Sequence, residues 1–225
     1  MSLKIAQGSK LVMIGDSVTD CGRARPVGEG LFGAVGNGYV SYVDALLSAV
    51  YPAADIRVVN VGTSGDNVRA LKARWQADVF DLQPDWLSVM IGINDVWRQF
   101  DSPRQPEIHV YLDEYARTLD DLVARTRPLV QGLVLMTPFF IEPNPADAMR
   151  AVMDQYGEVV KQTAAQYDAI PVDTQAAFNQ VLASCPSAAI AWDRVHPNHI
   201  GHMVLARAFL QAVGFAWEEA AVLQG

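Results

Sequence analysis

Four short stretches carry the side chains that could do chemistry: Gly15-Asp16-Ser17, Gly62-Thr63-Ser64-Gly65-Asp66, Gly92-Ile93-Asn94-Asp95 and Asp193-Arg194-Val195-His196-Pro197. Serine is a poor nucleophile at its own pKa and needs a base beside it. His196 could take the Ser17 proton and later return one to a leaving alcohol. Asp193 lies three residues before His196, a spacing at which a turn folds its carboxylate back onto Nδ1 and fixes the tautomer. The backbone N–H groups of Ser17 and Gly65 and the side-chain amide of Asn94 could hold a tetrahedral oxyanion. The set therefore reads as acyl transfer, with Ser17, Asp193 and His196 catalytic and with Gly65 and Asn94 stabilising the oxyanion. Asp16 is the awkward neighbour, expected to turn away and hydrogen-bond within its own loop.

Taken singly, each stretch has a plainer use. Gly-Asp-Ser is an ordinary turn, and Gly65 could supply a positive φ. Asn94-Asp95 could cap a following helix, and Asp193 with His196 could be a surface pair. Their placement argues for one joint site. Short apolar runs at Lys10–Ile14, Ile56–Val61, Trp86–Ile91, Leu133–Met136 and Ile170–Val172 read as strands buried on both faces. Segments of helical period lie between and after them, at Tyr39–Val50, Tyr111–Thr126, Met149–Gln166 and Ile200–Val213, with a weaker one at Val68–Phe80. Alternating strands and helices predict a parallel sheet covered on both faces, with five strands and five or six helices in one domain over residues 1–225. Function in such sheets sits beyond the carboxyl ends of the strands. Three of the four stretches follow a strand directly, and the fourth lies past the last strand.

Composition narrows the classes further. The chain has 225 residues, with 17 Lys and Arg against 25 Asp and Glu, a formal net charge of −8. A nucleic-acid binder would usually carry a basic excess. Half the residues are hydrophobic (51%) and 19% are charged, which suits one sizeable core rather than a disordered chain. Apolar runs reach only about five residues, far short of the ~20 that span a bilayer. The N-terminal stretch lacks the pattern of a signal peptide. Two cysteines, Cys21 and Cys185, make no disulfide framework, so a reduced cytoplasmic protein is expected. The expected partner is a small molecule, with neither nucleic acid nor membrane.

The four stretches resemble the four blocks of the SGNH (GDSL-like) hydrolase superfamily, with Ser17, Gly65, Asn94 and His196 at the block positions. Longer stretches, IGDSVTDCGRARP, GINDVWR, MTPFFIEPN, MDQYG and AWDRVHP, are similar to bacterial acetylxylan esterases of the intracellular kind. The resemblance implies a three-layer α/β/α flavodoxin-like sandwich, no cofactor, and hydrolysis of acetyl esters on xylo-oligosaccharides through an acyl-enzyme on Ser17. The alternative within the superfamily is a lysophospholipase or thioesterase acting on other short acyl esters. Outside it, a flavodoxin-like module binding phosphate or flavin gives no reason for Asp193-x-x-His196. A non-catalytic relative would normally have lost a triad member.

Trp97 and Trp192 adjoin the Asn94 and Asp193 stretches and could either stack on a sugar ring or sit at the core edge. Arg23, Arg25, Arg98 and Arg194 could meet sugar hydroxyls, but pairing of most with Asp20, Asp66 and Asp95 is expected. Gly28-x-Gly30-x-x-Gly33 matches a dinucleotide fingerprint without the strand that should precede it, and so reads as a flexible loop. His196, His199 and His202 invite a metal reading, which would take the base from Ser17; no metal is expected. Cys21 is read as a buried free thiol with no histidine beside it. The tail Gly214-Phe215-Ala216-Trp217 carries two large aromatics, which could either pack back on their own subunit or help form the homo-oligomer that is expected.

Overall fold

The apolar runs become the five strands of one parallel sheet: β1 (Lys10–Gly15), β2 (Arg57–Asn60), β3 (Trp86–Met90), β4 (Gly132–Met136) and β5 (Ile170–Val172). The structure is a computed structural model, and it describes residues 2–217. Strand order is β2-β1-β3-β4-β5, the flavodoxin-like order. Every residue of β3 and β4 is buried, which explains why these strands show continuous apolar runs instead of alternation.

Among the described residues, eight α-helices surround the sheet: α1 (Ser17–Asp20), α2 (Tyr39–Val50), α3 (Val68–Trp75), α4 (Ile93–Asp101), α5 (Leu112–Thr126), α6 (Ala148–Gln166), α7 (Thr174–Leu182) and α8 (His199–Ala212). Helices α2, α7 and α8 pack together as one layer, and α3, α5 and α6 as the other. Helix α6 shows how a layer is held. Met149, Met153, Tyr156, Val160 and Ala164 recur at helical spacing on its buried face. Burial of one such large apolar side chain contributes ~1.5–3 kcal/mol. The weak helical segment at 68–80 resolves into α3 followed by a π-helical turn over Gln76–Phe80.

The expected five or six helices are exceeded by α1, α4 and α7. Helix α1 is too short to show a period. Helix α7 buries Thr174 and Gln175, which interrupts its apolar stripe, whereas α4 carries Ile93, Val96, Trp97 and Phe100 at helical spacing over only nine residues, too few to stand out as a period.

Parallel register aligns the strand ends along one edge. Met13 lies opposite Asn60, Gly15 opposite Met90, and Met90 opposite Met136. The chain leaves β1 toward β2 and later returns to β3 on the other side. A crevice therefore opens beyond the ends of β1 and β3.

Candidate active site

Ser17 is the first residue of α1, directly after β1. Its neighbour Asp16 caps that helix, with Oδ1 accepting from the Val18 N–H at 3.0 Å. The carboxyl thus turns back into its own loop as expected. Its other oxygen is buried with no hydrogen-bond partner. Burial pushes the Asp16 carboxyl up to about 7, against the pull of the Val18 N–H and the charge of His196. A carboxyl so often neutral opposes an oxyanion at Ser17 less than a full charge would.

The Ser17 Oγ lies 2.9 Å from His196 Nε2, and His196 Nδ1 lies 2.6 Å from Asp193 Oδ2. Asp193 Oδ1 accepts the backbone N–H groups of Val195 at 3.0 Å and His196 at 2.8 Å. The three-residue spacing therefore closes into the expected turn. Burial raises the Asp193 carboxyl, but the His196 ring and the two backbone donors outweigh it and hold it below its usual value. It stays ionised, so Nδ1 carries a proton and Nε2 is free to accept one. Arg194 takes a left-handed φ of 63° inside this turn. Its carbonyl accepts from Ile141 N–H, its guanidinium pairs with Glu142, and it stacks on Phe140. The turn is thereby fixed to the segment that follows β4.

The proposed oxyanion donors follow three strand ends, Ser17 after β1, Gly65 after β2 and Asn94 after β3. Asn94 is 2% exposed and lies in the first turn of α4. One N–H of its amide donates to the Asp66 carbonyl at 2.9 Å, so the amide plane is set and the second N–H remains available. Gly65 has φ +87°, where a side chain would be strained. Gly62, at the entry to the same loop, lies so near α1 that a Cβ would fall 2.3 Å from the Asp20 nitrogen. Asp20 Oδ2 in turn accepts the Ser64 N–H at 2.9 Å and the Ser64 hydroxyl at 2.8 Å.

Asn94-Asp95 does not cap α4, whose cap is Gly92. Asp95 instead accepts from Val68 N–H at the start of α3, at 3.0 Å. Its burial pushes the carboxyl up to about 7.

Trp97 is half-buried and stands edge-on to the His196 ring, with centroids 5.6 Å apart. Trp192 belongs to no core edge: it is 87% exposed beside Asp193. With Ile190, Pro197 and His196 it lines a groove of about 360 Å³.

The arginine pairings differ in part from those expected. Arg25 pairs with Asp20, but Arg98 pairs with Asp101 and Arg194 with Glu142. Arg23 donates to the carbonyls of Gly62, Ala24 and Pro26 rather than to an acid. The partner of Asp66 is Arg74, which the sequence had not singled out.

The expectation for Cys21 needs correction. A histidine does lie beside it: His202 Nε2 is 3.3 Å from Sγ. Tyr39 N–H donates to His202 Nδ1 at 3.1 Å, so the ring proton sits on Nε2 and faces the sulfur. The thiol has the Val18 carbonyl as acceptor at 3.3 Å. Burial drives both groups toward neutrality, the thiol up to about 12 and the imidazole down to about 4. The pair is a neutral link, not a thiolate–imidazolium nucleophile. His202 is thus buried, while His199 is exposed. Gly30 and Gly33 have positive φ in a loop outside any strand–helix turn. Of the tail aromatics, Phe215 packs edge-on against Tyr51 of its own chain and is 5% exposed. Trp217 is 38% exposed.

A hydroxyl–imidazole–carboxylate line beyond the strand ends of a flavodoxin-like sheet, without a nucleophile elbow, defines a class of acyl hydrolase. The chain belongs to the GDSL-like lipase/acylhydrolase family, whose model matches residues 13–204, and it is a serine esterase. It is 64% identical over 215 residues to an acetylxylan esterase of Geobacillus stearothermophilus, covering 96% of this chain and 98% of that one. The crystal structure of that esterase superposes with a TM-score of 0.95 at 64% identity, over the same shares of the two chains. Its solved catalytic mutants replace one serine, one aspartate and one histidine by alanine. The serine and histidine there are 179 residues apart, as Ser17 and His196 are here. An alpha/beta hydrolase from the metagenome of Lake Arreo, Spain, is similar at 54% identity and a TM-score of 0.94, covering 95% of this chain and 99% of that one.

Proposed function

We propose that the chain removes acetyl groups from acetylated xylo-oligosaccharides through an acyl-enzyme on Ser17. The observation that carries the chemistry is the relay from Ser17 through His196 to Asp193, with contacts of 2.9 and 2.6 Å. The substrate class rests on the likeness to the acetylxylan esterase.

In the first half-reaction His196 Nε2 takes the Ser17 proton as Oγ bonds to the acetyl carbonyl carbon. The carbonyl oxygen becomes an oxyanion, met by the N–H groups of Ser17, Gly65 and Asn94. The C–O bond to the sugar breaks, and the imidazolium gives its proton to the sugar oxygen. Water then attacks the acetyl-serine with His196 as base again; the bond from the acyl carbon to Ser17 Oγ breaks, the imidazolium returns its proton to Oγ, and acetate leaves. Asp193 stabilises the imidazolium in both steps without itself taking the proton. Trp192 and the groove beside His196 offer an aromatic face to a sugar ring, and Trp97 braces the base from the other side.

The reading includes two further parts. A cytoplasmic location is supported by two cysteines that are both free, and among the described residues no helix is long and apolar enough to cross a membrane. Self-association is supported by large apolar side chains left uncovered away from the substrate groove, Leu31 and Phe32 above all. In the tail, Phe215 packs on Tyr51 and Trp217 on Phe215 of the same chain, while Trp217 stays 38% exposed.

The test is kcat/KM across acetyl, butyryl and octanoyl aryl esters, with acetate release from acetylated xylo-oligosaccharide measured alongside. Activity should fall steeply from acetyl, with each methylene changing transition-state binding by ~1–3 kcal/mol. An octanoyl preference with no acetate released from the sugar would overturn the substrate class.

A further inference from the structure

We propose that Arg74 is a positioning residue that sets the oxyanion hole. The inference rests on the reading of Ser17, Gly65 and Asn94 as its donors. Arg74 sits in the last turn of α3, outside the four sequence stretches, and its side chain is only 17% exposed. All three of its guanidinium nitrogens are engaged. Nε donates to Asp66 Oδ2 at 2.5 Å. Nη1 donates to the Val61 carbonyl and to Asp78 Oδ2, each at 2.6 Å. Nη2 donates to the Gly15 carbonyl at 2.9 Å.

These acceptors support the three donors separately. The Gly15 carbonyl is in the peptide unit just before the one that carries the Ser17 N–H. It also accepts the Thr63 N–H at 2.9 Å, which joins the nucleophile loop to the Gly65 loop. The Val61 carbonyl is the point where the chain enters that loop from β2. Asp66 is the residue after Gly65, and its own carbonyl holds Asn94. One planar cation therefore touches the support of every oxyanion donor while itself lying outside the hole. Gly65 is exposed and has no side chain to pack, so its N–H is located by its neighbours: Ser64, held by Asp20, and Val61 and Asp66, held by Arg74.

Arginine suits this task because its five N–H donors sit in a rigid fork. A lysine would keep the charge and could satisfy Asp66 or Asp78, but a single nitrogen cannot reach acceptors on both strand ends in fixed directions. Oxyanion donors matter only when they meet the oxygen of the transition state, not that of the bound ester. Loosening them should therefore lower kcat and leave KM nearly unchanged.

The experiment compares Arg74→Lys, Arg74→Ala, Asn94→Ala and the Arg74→Lys/Asn94→Ala double variant on an aryl acetate, with Tm recorded for each. Arg74→Lys should lose roughly 10–100-fold in kcat, the scale of an ångström-sized misplacement, with KM within about twofold and the protein folded at the assay temperature. Millimolar guanidinium should restore part of the activity of Arg74→Ala. The double variant should be little worse than Asn94→Ala, because both changes act on the same hole. Wild-type kcat in Arg74→Lys would overturn the proposal, as would a loss confined to KM. Failure of both Arg74 variants to fold would overturn it too, since the residue would then be holding the fold. If Asn94→Ala itself keeps full kcat, the oxyanion reading fails, whatever Arg74 does.

Discussion

Replacing Asp193 by Asn changes almost nothing in shape and should disable the base. In the native turn one carboxylate oxygen holds the N–H groups of Val195 and His196, and the other receives the His196 Nδ1 proton. An asparagine keeps the first oxygen on the two backbone donors and turns its NH₂ toward Nδ1. The imidazole must then carry its proton on Nε2, facing Ser17, where it can no longer accept one. Two losses follow. Unit charges about 4 Å apart attract by ~4 kcal/mol at an effective dielectric of ~20. The His196 side chain is 40% exposed, so solvent screening leaves roughly 2–3 kcal/mol of that attraction for the imidazolium. Reversing the tautomer adds ~1 kcal/mol, the worth of an ordinary hydrogen bond. Together, ~3–4 kcal/mol corresponds to a fall in kcat of roughly 10²–10³. Steady-state hydrolysis of an aryl acetate reads it directly, and labelling of Ser17 by an organophosphonate should slow in proportion. A variant within threefold of wild type in kcat would show that Asp193 does not govern the His196 proton.

Ser17→Ala and His196→Ala should each remove nearly all esterase activity while leaving Tm close to wild type, and organophosphonate label recovered by mass spectrometry should sit on Ser17. Label elsewhere, or an active Ser17→Ala, would sink the mechanism. His202→Gln tests the buried link, since an amide can accept from Tyr39 N–H and donate to Cys21. Burial lowers the His202 pKa from 6.5 to about 4, so between these values the unfolded chain binds a proton that the folded one refuses. Its contribution to stability is intact above pH 6.5 and lost as pH falls toward 4, by about 3 kcal/mol at the bottom of that window. Melting curves of wild type and variant should diverge over that range, with the wild type falling faster, and curves that stay parallel would refute the assignment.

The strands were legible because both sheet faces are buried, so that β3 and β4 read as plain apolar runs. Helices α2, α5, α6 and α8 were legible from their period. Helix α4 was not, because its apolar stripe of Ile93, Val96, Trp97 and Phe100 runs for only nine residues, and its first turn reads as a site stretch through Asn94 and Asp95. The reacting groups could be found because their residue types are scarce and each follows a strand end. Their supports could not. Arg74 acts on the carbonyls of Gly15 and Val61, and any residue has a carbonyl, so no side-chain pattern marks those contacts. Only its pairing with Asp78, four residues on, had a visible spacing. The same limit hid His202 from Cys21, since 181 residues separate a contact of 3.3 Å.

Ser17 and His196 are 179 residues apart. The ribosome adds ~5–20 residues per second, so the serine exists for roughly 10–35 s before its base is even made. Throughout that interval it lacks His196, its one side-chain hydrogen-bond partner among the described residues, and is a plain hydroxyl. Hydrolytic power therefore arrives only when the turn before α8 docks beside the end of β1. A stalled or truncated nascent chain would be catalytically silent, never a loose esterase acting on whatever acyl group the cell presents.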